Sequence, residues 1–301
     1  MIDVIIIGAG PAGVTAAIYL KRANINFMLI EGQMIGGKVN YTAEVDNYPP
    51  LKHISGPDLA MAYFDDLMHN NIEVQYENVI SLKKENDIFI VKTETKEYQA
   101  KAVIVATGTS DKLLGVKGED KLFHKGISTC ALCDGNLFKG QTMAVVGGGN
   151  SALEETLYLS KISPKIYLIH RRNEFRGNQQ YLSRIKETDN VEILTPFIIK
   201  ECVGEEKLES LILENVETKQ EKVLKISALF EYVGLLPNTS FIDIKEVLDE
   251  KGFVITNQVN QTSVEGLFAV GDVVSNSLRQ IVVASSQGAI ASQSVISFLE
   301  K

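Results

Sequence analysis

Two cysteines, Cys130 and Cys133, stand two residues apart in the stretch STCALCDGN, with Asp134 directly behind the second. That spacing lets two sulfurs meet in a small ring or clamp a metal, and the motif lowers a thiol pKa toward the attacking thiolate. A zinc site needs about four ligands, as two such pairs or with added histidines. The chain holds three cysteines and four histidines, and the histidines show no ligand spacing. The third cysteine, Cys202, reads as a small apolar filler. No metal is expected, and thiol exchange is the expected chemistry. Asp134 stands where a group could give or take the proton of each half-reaction. The same aspartate would also serve as a capping or turn residue.

Composition narrows the setting. The 301 residues suit one large or two ordinary domains, and 45% hydrophobic content allows a sizeable core. Thirty basic against 38 acidic residues give a net charge of −8, which argues against a general nucleic-acid surface and makes local basic clusters stand out. No run approaches the roughly 18 uninterrupted apolar residues of a membrane span. The start, MIDVIIIGAG, has an acid where a signal peptide wants a positive charge. A reducing, cytoplasmic setting is expected, where a cysteine pair is catalytic or metal-binding rather than a permanent brace.

Two copies of one unit must position the chemistry. The first, DVIIIGAGPAGVTAAIYLKRANINFMLIE, reads as strand, glycine turn, helix and strand. Val4 to Ile7 is the apolar run of a strand buried on both faces. Gly8, Gly10 and Gly13 form G-x-G-x-x-G: one for the turn, one for approach to a pyrophosphate, one for close helix packing. The helix N-terminus offers free N–H groups to phosphates. Glu31 closes the second strand, the acid at the expected distance.

The second copy, MAVVGGGNSALEETLYLSKISPKIYLIHRR, puts Gly147, Gly149 and Ala152 in the same slots. Gly8 to Glu31 and Gly147 to His170 are both 23 positions. Glu31 in the first copy is replaced by His170, Arg171 and Arg172, with Arg176 beyond. A carboxylate at the strand end accepts ribose hydroxyls and repels a 2′-phosphate; guanidinium groups there attract it. The first copy therefore suits FAD or NAD and the second NADP. His170 by itself reads as a strand-end packing residue.

The remaining pattern is α/β. Residues 100–110 read as an apolar strand entering a glycine turn, Leu267 to Val270 as a strand ending in Gly271-Asp272, and the segment after Arg279 as a helix with a recurrent apolar face. The expected fold has two Rossmann-like, three-layer nucleotide-binding domains. One is discontinuous, 1–111 with 241–301; the other, 112–240, is inserted into it and carries the cysteines. Linkers around 109–118 and 234–241 would form a hinge.

These motifs in this order resemble the low-molecular-weight, bacterial-type thioredoxin reductases from end to end. The matching stretches are GAGPAG with Glu31, GGKVNYTAEVDNYP, VIVATG, CALCDG, GGGNSALEE, HRRNEFR, GLLPNT, GLFAVGDV and the Arg279-Gln280 pair. The resemblance implies FAD on the outer domain, with Gly8, Gly10, Pro11, Ala12 and Gly13 at its pyrophosphate and Glu31 at its ribose. It brings Gly37, Lys38, Asn47, Ala106, Thr107 and Gly108 to the same cofactor. Gly271 and Asp272 would hold its ribityl-phosphate part, and Arg279 and Gln280 would border the flavin. It implies NADPH on the inserted domain, at Gly147, Gly149, Asn150, Ser151 and Ala152, with His170 and with Arg171, Arg172 and Arg176 toward the 2′-phosphate. Cys130 would attack the partner's disulfide, Cys133 would face the flavin, and Asp134 would be the acid/base. The implied partner is thioredoxin or a thioredoxin-like protein, and the implied assembly a homodimer. A peroxidase or glutaredoxin-like partner, or a ferredoxin- or flavodoxin-driven thiol reductase, is the alternative. Lys38, where the family often has glutamine, and Ser285-Ser286, where many members have alanine-glycine, depart from the pattern and bear on flavin tuning.

Overall fold

Buried, uninterrupted apolar strands dictate the framework. The structure, a computed structural model, describes residues 1–301 except 43, 44, 46, 276 and 301; the side chains of 132 and 133 also lie outside the description. The chain divides into two units, Met1–Ser110 with Leu236–Lys301, and Asp111–Leu235. The second division falls a few residues before the 240/241 boundary expected from the sequence.

Unit one begins with β1 (Ile2–Ile7), α1 (Pro11–Arg22), β2 (Phe27–Glu31), α2 (Gly56–His69), β3 (Val74–Tyr76), β4 (Val79–Glu85), β5 (Ile88–Thr93) and β6 (Glu97–Val105). Its order is β3-β2-β1-β6, parallel, and β6 branches. The first part of β6 pairs antiparallel with β5, while Val103 to Val105 pair with β1 and with a late strand, Leu267–Ala269. Alternation in β1 sends its side chains to two cores. Val4 and Ile6 pack with Leu20, Leu29 and Val295; Ile5 and Ile7 pack with Phe89, Val91 and Ile242. The last helix, Ile281–Leu299, is long and apolar enough to cross a membrane. Here it lies on α1. A Cβ on its Gly288 would come 2.3 Å from the Ala12 carbonyl, and Ser292 Oγ donates to the Ala16 carbonyl at 3.2 Å. Small residues at this crossing let the two backbones approach.

The chain leaves unit one along β7 (Thr109–Asp111). Unit two then runs α3 (Glu119–Leu122), β8 (Ile127–Ser128), α4 (Ala131–Asp134), β9 (Met143–Gly147), α5 (Asn150–Leu159), β10 (Ile166–Ile169), α6 (Gln179–Lys186) and β11 (Val191–Leu194). It finishes with β12 (Phe197–Val203), β13 (Ser210–Asn215), β14 (Glu221–Lys225) and β15 (Ala228–Tyr232). Its parallel sheet has the order β11-β10-β9-β15-β8, and β12-β13-β14 form a separate antiparallel sheet. The glycine-bearing strand is thus flanked as in unit one, by the next parallel strand on one side and a later parallel strand on the other, β6 beside β1 and β15 beside β9. Ligands bind such sheets beyond the carboxyl ends of the strands, where the order reverses. The chain returns through β16 (Leu235–Pro237), which pairs with β7, and then forms β17 (Leu267–Ala269) and α7 (Ile281–Leu299).

Candidate functional site

The first cradle lies at the carboxyl ends of β1 and β6. Gly8 has φ +105°, and a Cβ there would meet the Ala106 carbonyl oxygen at 2.5 Å. Gly13 is tighter still: its Cβ would lie 1.8 Å from the Gly8 oxygen. By contrast, a Cβ on Gly10 or Gly108 would touch nothing within 4 Å, and one on Gly37 would meet only the Gly10 Cα, at 3.6 Å. The glycines thus do two jobs: Gly8 and Gly13 close the turn, and Gly10, Gly37 and Gly108 leave bare backbone facing open space. Pro11 starts α1 without a hydrogen to orphan, and Ala12 is buried beneath it. Backbone N–H groups ahead of a helix, with room in front, fit a pyrophosphate.

Glu31 is oriented by the same turn. Its carboxylate accepts the Ala9 N–H at 2.7 Å and the Gln33 N–H at 2.7 Å. Across the cradle, Thr107 and Asn238 exchange two bonds, Thr107 Oγ1 to the Asn238 carbonyl at 2.7 Å and Asn238 Nδ2 to the Thr107 carbonyl at 2.9 Å. Gly271 donates its N–H to Gln287 Oε1 at 2.7 Å, which places Asp272 just ahead of α7. Burial pushes the Asp272 carboxyl above its ordinary value, with Lys38 and Arg279 pulling it back. Arg279 lies over the Phe253 ring at 4.8 Å, and its Nε is buried with no protein partner. Asn47 Nδ2 donates to Gln280 Oε1 at 2.9 Å, joining two motifs 233 residues apart. An orphaned donor, a buried carboxyl and bare backbone in one unit fit a large polar cofactor such as FAD.

The second cradle repeats the first at β9. Gly147 has φ +154°, and its Cβ would meet the Tyr232 carbonyl at 2.6 Å and the Ala152 Cβ at 2.8 Å; Gly149 faces open space. Asn150 opens α5 and accepts the Asn178 N–H at 2.7 Å, with exposed Ser151 beside it. The Arg176 and Gly177 N–H groups both donate to the Gly148 carbonyl, at 2.9 and 3.0 Å, tying the basic loop to the glycine loop. Arg171, Arg172 and Arg176 are all exposed. His170 is 7% exposed, stacks on Phe175 at 4.9 Å, and fills the space where a Gly148 side chain would go. Burial, reinforced by the three arginines, holds its imidazole below the usual histidine range. It packs under the cradle. Bare glycine backbone with exposed guanidiniums fits NADPH.

The cysteine motif belongs to this same unit. Cys130 sits at the start of α4 and is held in a disulfide, whereas Cys202 is a buried free thiol raised to about 12, mainly by burial. The Cys133 side chain lies outside the described residues. Ser128 Oγ accepts the Cys130 N–H at 3.0 Å, a local turn legible in the STC spacing. The Asp134 N–H returns to the Cys130 carbonyl at 3.1 Å, so the short helix carries the aspartate behind the pair. Two other groups have no local sequence signal. Tyr232, 101 residues from Ala131, accepts the Ala131 N–H on its hydroxyl at 2.8 Å. Glu155 on α5 has a buried oxygen without a partner, and burial, then Glu154, raises its carboxyl to about 7.

Comparison with known proteins identifies the family. Residues 2–288 match the family model described as pyridine nucleotide-disulphide oxidoreductase. Thioredoxin reductase of Mycoplasma genitalium is 42% identical over 96% of this chain and 92% of its own length. That of Bacillus subtilis is 40% identical over 99% and 95%. The crystal structure of Lactococcus lactis thioredoxin reductase superposes with a TM-score of 0.88 at 36% identity, covering 100% of this chain and 99% of that one. The chain belongs to the low-molecular-weight thioredoxin reductases of the pyridine nucleotide-disulphide oxidoreductase family.

Proposed function

We propose how this chain, a thioredoxin-disulfide reductase dependent on FAD and NADPH, divides its reaction among its residues. When bound, FAD accepts a hydride from NADPH and supplies two electrons to a disulfide. The bare backbone of Gly10, Gly37 and Gly108 and the carboxylate of Glu31 hold the flavin nucleotide, with Asp272, Arg279, Gln280 and Asn47 toward its reactive half. Arg171, Arg172 and Arg176 select NADPH through the 2′-phosphate. Cys130 and Cys133 form the working disulfide. In the dithiol form the Cys130 thiolate attacks the partner's disulfide. Cys133 then displaces the reduced partner and the ring closes again. Asp134 gives the departing thiolate its proton and later recovers one. The sum is NADPH, a proton and a protein disulfide going to NADP⁺ and a protein dithiol.

The observation that carries this reading is the bonded Cys130 in the same unit as the arginine-flanked glycine cradle. Donor site and disulfide ride on one body and must each serve a cofactor held by the other. Hydride transfer needs reacting atoms about 3–3.5 Å apart, and Cys130 must also meet a bulky protein. Unit two therefore turns on the β7 and β16 connectors. The reading further takes the protein as a cytoplasmic homodimer that engages neither nucleic acid nor membrane.

The test is anaerobic. NADPH should bleach the yellow protein, NADH should do so poorly, and oxidised thioredoxin should restore the colour. Bleaching with no return on thioredoxin, but return on a peroxidase or glutaredoxin-like disulfide, would move the partner. Bleaching by reduced ferredoxin or flavodoxin alone would move the donor.

A further inference from the structure

Unit two buries two carboxyl groups that the thiol chemistry does not use. Glu119 opens α3 and is 1% exposed; Glu231 lies within β15 and is 2% exposed. A charge at such depth is strongly destabilising unless it is paired or neutralised. Glu119 is satisfied by backbone. Its Oε1 accepts the Leu114 N–H at 2.8 Å, and its Oε2 accepts those of Gly115 at 2.5 Å and Val116 at 3.0 Å. Glu231 is not satisfied in that way. Its Oε2 reaches only the Leu114 N–H, at 3.3 Å, and its Oε1 is buried without a partner. Both carboxyl groups accept the same Leu114 N–H, which brings their oxygens together. Two acceptor-only carboxylates cannot bond; one must carry a proton. A proton on Glu231, donated to Glu119, removes the orphaned oxygen and the second charge together. Burial, the bond to Glu119 and its charge push the Glu231 carboxyl up to about 9.

The location gives the pair a use. Leu114 to Val116 follow β7, and β15 runs through Glu231 and Tyr232 into β16. The Lys112 N–H donates to the Gly234 carbonyl at 3.0 Å, so both connectors enter unit two at one place. The loop between is tightly wedged. Gly115 and Gly118 have φ of +73° and +84°, and a Cβ on Gly118 would lie 2.0 Å from the Cys202 carbonyl.

We infer that Glu231 keeps a proton at neutral pH, shares it with Glu119, and acts with it as a positioning device that fixes the root of the first connector. This rests on the turning of unit two proposed above. The other groups facing the pair do not neutralise it. The Cys202 thiol on β12 is itself held protonated, by burial and then by Glu231, Glu119 and Glu201, and Lys117 is committed to Glu201 at 2.8 Å. Losing the shared proton would set two like charges among Leu122, Ile127 and Leu229, and the loop carrying Leu114 would yield.

The test compares the full FAD-loaded protein with Glu231→Gln, which can donate to Glu119 but cannot titrate. The native carboxyl holds its proton more tightly than the unfolded chain does. Stability of the parent should therefore fall as pH rises from 4.5 toward about 9, relative to the variant. Between about pH 7 and pH 10 the parent should also lose about threefold more thioredoxin-reducing turnover than the variant. The infrared spectrum of the parent should show a protonated-carboxyl stretch that titrates near pH 9 and is absent from the variant. If the variant does not fold, that titration decides by itself. Parallel stability curves, or no alkaline-titrating band, overturn the shared proton. Diverging stability with parallel turnover keeps the proton and overturns the positioning role. A parent that cannot reduce thioredoxin at neutral pH sinks the proposed function instead, and leaves the unfolding curves as evidence on the proton.

Discussion

The two glycine cradles share a strand order and a spacing, yet they differ in how much room their third small residue has. In unit one a Cβ at Gly13 would lie 1.8 Å from the Gly8 oxygen. In unit two the matching residue is Ala152, whose own methyl is tolerated. The two turns also differ in their first glycine, with φ +105° at Gly8 and +154° at Gly147.

That contrast can be broken most severely at the tight site. Gly13→Ala should cost about 4 kcal/mol or more, because backbone rather than a flexible side chain occupies the space. The expected result is protein that emerges without flavin, read from its visible spectrum, or that fails to fold. The reciprocal change, Ala152→Gly, should cost about 1 kcal/mol, the ordinary helix penalty, with NADPH affinity kept. Equal losses at the two positions would show that the cradles are equally tight.

A second difference lies at the strand ends. Glu31 is held by two backbone N–H groups, while the corresponding His170 turns inward under Gly148 and the following Arg171, Arg172 and Arg176 stay exposed. Arg171→Ala with Arg172→Ala should raise KM for NADPH about 10–100-fold, the loss of one or two charge-assisted bonds. KM for NADH should hardly move. A parallel rise for both nucleotides would mean that the arginines serve the fold and not the phosphate.

The strands bearing the glycines were legible because burial on both faces forces continuous apolar runs such as Val4 to Ile7 and Met143 to Val146. The glycine spacings, the residue at the end of each second strand and the cysteine pair were legible because each is local. The antiparallel strands β12 to β14 were not, since their pairing is set by register with one another and only residues such as Leu211 and Leu213 reach a core. Contacts across long stretches of chain were also silent. Asn47 with Gln280, Tyr232 with Ala131, and Glu119 with Glu231 join residues of ordinary type that only the fold brings together.

A third difference sets Glu31, bonded to the first glycine turn, against Glu155 on α5, the helix that follows the second. Glu31 has two N–H partners; one oxygen of Glu155 is buried with none. Burial, with Glu154 adding to it, raises Glu155 from 4.5 to about 7. The native state therefore binds more protons than the unfolded chain between those two values. Its stability is fully present below the lower one and is lost as pH rises through the upper one. Glu155 is partly exposed, so the loss should be about 2 kcal/mol or less, below the full value of such a shift. Glu155→Gln should flatten that part of the stability profile, measured by urea unfolding at a series of pH values, and leave flavin content unchanged. Glu31→Gln should weaken flavin retention. Should Glu155→Gln instead weaken flavin retention and leave the stability profile unchanged, the division of labour between the units would have to be redrawn.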